Sequence, residues 1–344
     1  PASDIFKLLN CTDELFESHG PIATLQGSIS HPASLASVIQ VTSQPSPPPG
    51  IMTASCKLCP LFNECVAKGV QHPIWHLPRL TGKRFQQVCA QSLDIKDVED
   101  ELLTAPQRKH KACVVKGEPL VSRKALRKGL GALKAPLYFL DFESFSTWTP
   151  TLPGQAPLEQ VVSQYSLHIS ATLDVGTPEA VAHREYLGGS EGDFREELLE
   201  TMLSDLGSAG SIIVYSPYEK TQLSKMAVLF PLRERAIHAV IDRLVDLEPL
   251  IRANVHHPDF HGRTSLKVTL PVLVPSYVGR YKALSINDGA HAAAAFQRVR
   301  GSPELSDAER SELRSELLDY CRLDTLAMVE LLQALQRLAE DPER

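Results

Sequence analysis

The rhythm of the apolar positions changes near residue 135. Upstream, Leu80, Phe85, Val88, Leu93, Ile95 and Val98 recur at helical spacing over 77–102, which predicts two short helices around Ser92. Downstream, short apolar runs alternate with amphipathic stretches. Pro136-Leu-Tyr-Phe-Leu-Asp-Phe-Glu-Ser144 holds a near-continuous apolar run over 137–142, bounded by proline and serine. Such a run predicts a strand buried on both faces. Residues 161–173 and 180–187 alternate well enough for two more strands, 192–206 reads as an amphipathic helix, and 211–215 reads as another buried strand. From Tyr218 onward the pattern is mostly helical, with a loop around His256-His-Pro-Asp-Phe-His-Gly262. Strands first, then strand alternating with helix, predict an α/β domain: a mixed sheet flanked by helices, behind a smaller, mainly helical N-terminal region.

Four carboxylates stand out against this pattern. Asp141 and Glu143 are two apart on the 137–142 strand, so they share a face. Two acids there are either solvated where the strand frays or gathered around a divalent cation. Glu219 follows the 211–215 strand. Ser216 suits an N-cap, Pro217 the first helical position, and Glu219 the far half of a capping box. The same residue also delivers an acid to a strand end. Both roles are compatible, because a carboxylate has two oxygens. The longest helical signal spans 311–338, where Leu317, Cys321, Met328, Leu331 and Leu335 form an apolar stripe that places Asp324 inside it. An inward carboxylate is costly unless hydrogen-bonded or metal-bound. Pairing with Arg322, or capping across a kink at Leu323-Asp-Thr325, is the plainer alternative. Tyr320 lies one turn earlier on the same side.

Cysteine usage is uneven. Cys11, Cys89, Cys113 and Cys321 are scattered, while Cys56, Cys59 and Cys65 cluster on a Cys-x-x-Cys turn with a third thiol close behind. This is no secreted disulfide framework, and a reducing cytoplasm fits better. The triplet suits a 4Fe-4S cluster or Zn²⁺, with Cys11, His72, His76 or an upstream cysteine as fourth ligand. The net charge of −6 gives no global attraction to nucleic acid, so any such binding is local. A basic run over 108–134, including Arg123, Lys124, Arg127 and Lys128, is opposed only by Glu118. It is either a set of solvated helix faces or a guide for a polyanion toward Asp141. No stretch is apolar enough to span a bilayer, and no secretory signal opens the chain. The start at Pro1 suggests a piece of something longer. Residues 5–16 suggest a short amphipathic helix, and 43–50 a linker. Three regions are expected: 1–76 with the linker and cysteines, a basic helical connector over 77–134, and the α/β domain over 135–344.

Asp141-x-Glu143, Tyr215-x-x-Tyr-Glu219 and Tyr320-x-x-x-Asp324 together resemble the three motifs of the DEDD exonucleases with a tyrosine third motif. Residues 135–335 also resemble an uncharacterised bacterial family, domain of unknown function 2779. Its hallmarks stand here as Phe139-Leu-Asp-Phe-Glu143, Gln164-Tyr-Ser-Leu-His168, Val245-Asp-Leu247, Gly262-Arg-Thr-Ser-Leu-Lys267 and Tyr320-Cys-Arg-Leu-Asp-Thr325. The cysteine triplet is similar to the C-terminal triplet of iron–sulfur nucleases of the RecB type. The resemblance implies a ribonuclease H-like fold and a metal-dependent 3'-to-5' exonuclease on single-stranded DNA or RNA. It implies two Mg²⁺ or Mn²⁺ ions, roughly 4 Å apart, held by Asp141, Glu143, Glu219 and Asp324, with Tyr320 orienting the attacking water. Lys267 and the basic run become candidates for phosphate contacts. The second motif departs from the superfamily's usual Asn-x-x-Phe/Tyr-Asp, with Ser216 and Glu219 in those places. Two other readings follow from that departure and from the site's chemistry: an inactive nucleic-acid-binding module, or a phosphohydrolase acting on small phosphoesters.

Overall fold

The computed structural model describes residues 64–176 and 181–340, with scattered positions between 43 and 62. The expected helix at 5–16, most of the 43–50 linker, and Cys11 lie outside the described residues. The chain forms two compact units, Pro1–Gln71 and His72–Arg344. Among the described residues, no helix is long and apolar enough to cross a membrane.

The second unit opens with a 3-10 turn (Ile74–His76), followed by α1 (Gly82–Gln91), two further single-turn 3-10 helices (Ile95–Asp97 and Asp100–Leu102) and α2 (Ala105–Lys116). The second helix expected just after Ser92 is therefore only a pair of turns. Ser92 Oγ takes the Asp94 amide at 3.0 Å and Asp94 Oδ1 takes the Lys96 amide at 3.0 Å, so side chains capture the amides a helix would need. Next come β1 (Leu120–Val121) and α3 (Arg123–Leu130). The α3 helix is no free-standing connector. Its Leu126 is fully buried in one apolar cluster with Ile251, Leu331 and Leu335.

The central sheet comprises β2 (Leu137–Phe145), β3 (Val161–Ser170), β4 (Ala182–Leu187), β5 (Ser211–Val214) and β6 (Leu244–Asp246). The order is β4-β3-β2-β5-β6. The β2–β3 and β3–β4 pairs are antiparallel, and β2–β5 and β5–β6 are parallel. The mixed sheet flanked by helices is thus present. The unexpected strand is β6, whose three half-buried residues carry too short a pattern to read. The intervening helices are α4 (Arg195–Asp205), α5 (Tyr218–Leu229), α6 (Glu234–Ile241) and α7 (Leu247–Asn254). The two-residue β7 (Val255–His256) pairs with β1. Helices α8 (Leu266–Leu273), α9 (Gly289–Gly301) and α10 (Asp307–Glu340) complete the unit.

Strand β2 explains the layering, because its side chains alternate between two apolar clusters. Leu137 and Phe139 pack with Met328, Val329 and Leu332 of α10. Tyr138, Leu140 and Phe142 pack on the opposite face with Leu198 and Met202 of α4 and Leu223 of α5. All four residues 137–140 are buried, as a central strand requires. Helix α10 is continuous through Asp324, without the kink considered above, and the stripe Leu317, Cys321, Asp324, Met328, Leu331, Leu335 is buried along its length.

The parallel pairing of β5 with β2 depends on Gly210. Its φ is +87°, and a Cβ there would lie 2.0 Å from the Pro136 carbonyl oxygen. Gly210→Ala therefore combines strain with a backbone clash and should cost more than about 1 kcal/mol, read as a lower urea midpoint at unchanged m-value. An unchanged midpoint would show that the 207–210 turn can move aside.

Candidate metal centre

Residues 141 and 143 continue the face of β2 that carries Leu137 and Phe139. That face lies against α10, and the helix supplies Asp324 one turn before Met328. One carboxylate oxygen from each of Asp141, Glu143 and Asp324 falls within 4.8 Å of the others. Among the described residues, these three form the single such group of metal-ligating side chains. The β2–β3 register shifts between Glu143 and Ser144, and Ser163 Oγ donates to the Glu143 carbonyl at 3.2 Å. The skipped residue is Ser163, so the irregularity lies on β3, opposite the step just after the second acid.

Three gathered acids should repel, and their pKa values show it. Burial pushes the Asp141 carboxyl well up, with Asp324, Glu219 and Glu143 adding like-charge repulsion. Glu143 is raised to about 8, first by burial and then by Asp324, with Lys267 pulling it back. Asp324 is raised by burial, against the stabilising Tyr281 hydroxyl and Lys267 charge. The Lys267 ammonium forms no ion pair with these acids; it donates to the Tyr320 hydroxyl and to the Asn287 carbonyl, each at 3.1 Å. The donor set is all oxygen, clustered and under-compensated. Those properties fit Mg²⁺ or Mn²⁺ better than a softer metal.

Glu219 is buried but stands outside the group of three. Burial raises its pKa to about 7. The expected capping box is not formed. Ser216 Oγ instead accepts the Tyr218 amide at 3.0 Å and donates to Glu219 Oε2 at 3.2 Å. Helix α5 starts one residue later than expected, with Pro217 at its N-cap, so the spacing to Glu219 is too short for the reciprocal bond. Asp246 has a plain structural role: it caps α7 by accepting the Glu248 amide at 2.9 Å.

Tyr320 and Lys267 both arrive at the acids, as their motifs suggest. Tyr320 is buried, and Lys267 Nζ stands 5.3 Å from its ring centroid and 5.2 Å from that of Tyr281. Three neighbours carry no sequence signal. Tyr281, in a single-turn helix, donates to Asp324 Oδ1 at 2.6 Å. The Cys321 thiol lies 3.6 Å from Asp141 Oδ2, a thiol where the stripe called only for an apolar residue. Gly289 opens α9 where a Cβ would sit 3.6 Å from Glu143 Oε2, in ordinary contact with that carboxylate.

Within the basic run, Arg127 is not beside the acids. Arg127 donates to the Ala339 carbonyl, fifteen residues beyond Asp324 in α10, or ~22 Å at about 1.5 Å per residue. Arg123, Lys124 and Lys128 share that helix. Neighbours in sequence end up apart because α3 docks on the far end of α10. The cysteine triplet belongs to the first unit. Cys59 and Cys65 are exposed, and the Thr53 amide lies 3.3 Å from Cys56 Sγ. The three thiols are not drawn within 4.8 Å of one another. His76, a candidate fourth ligand, packs its ring on His261 with centroids 4.2 Å apart. Hallmark residues on β3 knit the sheet to α10: Gln164 donates to the Leu317 carbonyl at 2.9 Å, and His168 Nδ1 and Ser166 Oγ each lie 2.8 Å from Thr325 Oγ1.

Residues 138–265 match the family described as domain of unknown function DUF2779. The match holds the first two acids and Glu219, and stops short of Lys267, Tyr320 and Asp324. The chain is 24% identical over 223 residues to the uncharacterized protein MG366 of Mycoplasma genitalium, covering 60% of this chain and 33% of that one. It is 23% identical over 214 residues to the MG366 homolog of Mycoplasma pneumoniae, covering 58% and 32%. The chain thus spans about a third of the length of the curated relatives it matches. No solved structure matches it significantly.

The raised acids make stability and metal binding proton-linked. Glu143 and Glu219 ionise near 8 and 7 in the fold, against an ordinary 4.5. The folded chain therefore holds more protons than the unfolded one, and stability is lost as pH rises through those values. The buried His110 and His168, held to about 4 and about 3, pull the opposite way below about pH 6.5, where the unfolded chain takes up their protons. The carboxylates are thus read cleanly between about pH 7 and 8.5. In EDTA the melting temperature should fall across that range, and Mn²⁺ should restore more at the upper end than at the lower. A melting temperature indifferent to Mn²⁺ throughout would rule out a cation among these acids.

Proposed function

We propose that the chain is a metal-dependent nuclease of the DEDD type, removing nucleotides from the 3' end of single-stranded DNA or RNA. The observation that carries this reading is the meeting of Asp141, Glu143 and Asp324, from two distant elements, with no basic side chain ion-paired to them. The likeness of the three motifs to the tyrosine-type DEDD exonucleases, and to a ribonuclease H-like fold, supplies the reaction and the substrate class. Asp141, Glu143 and Asp324 would hold divalent ions, with Glu219 supplying charge from just behind them. Such ions supply an activated water and charge stabilisation in phosphodiester hydrolysis.

The chain's own residues do the positioning. Tyr281 ties down one oxygen of Asp324 and so fixes how its carboxylate is presented. Lys267 is exposed at the rim and meets the incoming phosphate charge while holding the Tyr320 hydroxyl. Burial, with Asp324, Glu143 and Asp141 alongside, keeps the Tyr320 phenol protonated far above neutral pH. It therefore serves as a neutral hydrogen-bonding group that orients a water and not as a base.

Crossed substitutions test the assignment on labelled single-stranded DNA and RNA with Mn²⁺. Asp324→Asn and Asp141→Asn should each reduce hydrolysis at least about a hundredfold, as expected when one transition-state electrostatic contact is removed. Glu219→Gln keeps the Ser216 hydroxyl bond, so its stability should change little. If its charge serves the ions, activity should fall by orders of magnitude. Full activity in Glu219→Gln beside a dead Asp141→Asn would confine Glu219 to packing. Activity of the unsubstituted chain that survives EDTA, or that equals that of Asp324→Asn, would sink the proposal.

A further inference from the structure

Strand β3 has an inner face that the fold alone does not call for. It lies between β2 and β4, yet its successive positions toward α10 are Gln164, Ser166 and His168, all buried. Its opposite face is apolar, with Tyr165 and Leu167 in the core. Apolar residues would suit the inner face as well, because buried polar groups are costly unless bonded. Each of the three instead reaches α10. Gln164 donates to the Leu317 carbonyl at 2.9 Å, while Ser166 Oγ and His168 Nδ1 converge on the Thr325 hydroxyl, each at 2.8 Å. Thr325 is fully buried. A hydroxyl has one hydrogen and two lone pairs, so this single side chain serves both. His183 of β4 backs the pair: its Nε2 lies 2.9 Å from Ser166 Oγ, and its ring centroid is 4.5 Å from that of His168.

This network is in register with the acids. Gln164 pairs across the sheet with Glu143, Ser166 with Asp141 and His168 with Phe139. On α10, Thr325 directly follows Asp324 and is turned about 100° from it around the helix axis. Thr325 thereby meets β3 while Asp324 meets the acids of β2. The apolar stripe that seats α10 is held by burial, which has no preferred direction. A roll of ~20° about the helix axis would carry a carboxylate that stands ~5 Å from the axis by ~2 Å. Hydrogen bonds are directional, and a pair of them on one buried hydroxyl opposes such a roll.

We propose that Thr325, held by Ser166 and His168, is a positioning residue for the metal centre: it fixes the rotation of α10 and so where the Asp324 carboxylate stands relative to Asp141 and Glu143. The inference rests on a divalent ion among those acids, as in the nuclease reading, and adds residues that themselves hold no ion. Tyr281 fixes one oxygen of Asp324 locally, whereas the Thr325 network fixes the backbone that carries it. Burial, with His183 and Arg322 nearby, holds the His168 pKa at about 3, so its ring is neutral and the contact is the same across the neutral range. The effect on chemistry is large because a misplacement of about 1 Å in a reacting site costs about a hundredfold in rate.

Titration of the full chain with Mn²⁺, followed by electron paramagnetic resonance below each variant's melting temperature, tests this without any substrate. Thr325→Val keeps the shape and removes the hydroxyl. It should bind Mn²⁺ at least about tenfold more weakly, as loss of a residue that orients a metal ligand predicts, with an altered spectrum of the bound ion. Thr325→Ser returns the hydroxyl and should restore the affinity. Leu335→Ala, about three turns farther along α10 and buried in the other apolar cluster, controls for loosened packing. It should lower the melting temperature and keep the affinity. The proposal is overturned if Thr325→Val binds as tightly as the unsubstituted chain, or if Leu335→Ala or Thr325→Ser binds as weakly as Thr325→Val. Should Thr325→Val not fold, Ser166→Ala removes one of the paired contacts and decides instead: weakened Mn²⁺ binding supports the proposal, and unchanged binding overturns it. An unsubstituted chain that binds no Mn²⁺ removes the metal centre and this inference together. Mn²⁺ binding that Thr325→Val weakens, in a chain without hydrolysis of any strand, would sink the nuclease reading alone and support the positioning role.

Discussion

The unit depends on a coincidence of two periods. Two residues advance a strand by about 6.6 Å, and four residues advance a helix by about 6.0 Å. Strand β2 and helix α10 therefore stay nearly in step where they cross the same layer. Leu137 and Phe139 share one apolar cluster with Met328 and Leu332, and the next residues on those faces, Asp141 and Asp324, come together. The apolar steps fix the register, and the polar step inherits it. The acids are gathered because everything beneath them is packed, and no local attraction among them is needed.

That arrangement sets stability against chemistry. Burial and mutual repulsion both favour the protonated acids, so charging the cluster works against its environment and Glu143 ionises only near pH 8. The fold sustains it with a few directed contacts: Tyr281 on Asp324, Ser216 on Glu219 and the Cys321 thiol beside Asp141. None of these supplies a positive charge. Lys267 is close enough to lower the Glu143 and Asp324 pKa values, yet its hydrogen bonds go to neutral partners. A lone cation at the rim softens the repulsion without filling the site.

Much of this was legible in the sequence, for identifiable reasons. Asp324 could be read because it breaks an apolar stripe whose period is unambiguous, and Asp141 and Glu143 because a strand's period of two leaves no choice of face. Other features resisted. Strand β6 is three half-buried residues, below the length at which alternation differs from chance. Tyr281 reaches Asp324 from irregular chain, where no periodicity tells which way a side chain points. Nearness in sequence to β2 did not give nearness in space for Arg127, which serves the Ala339 carbonyl near the end of α10. The Ser216 box failed by one residue, within the usual uncertainty of a helix start.

Cys321 and Asp141 touch across 180 residues of chain. Closing so long a loop is slow and entropically costly, and the contact forms only once the intervening sheet exists. During synthesis the strand with Asp141 and Glu143 emerges long before the helix with Asp324. Until α10 docks, the early acids face water as an ordinary pair, without the third carboxylate or the buried tyrosines. A nascent or truncated chain that lacks the final helix thus carries Asp141 and Glu143 without the third carboxylate of the group.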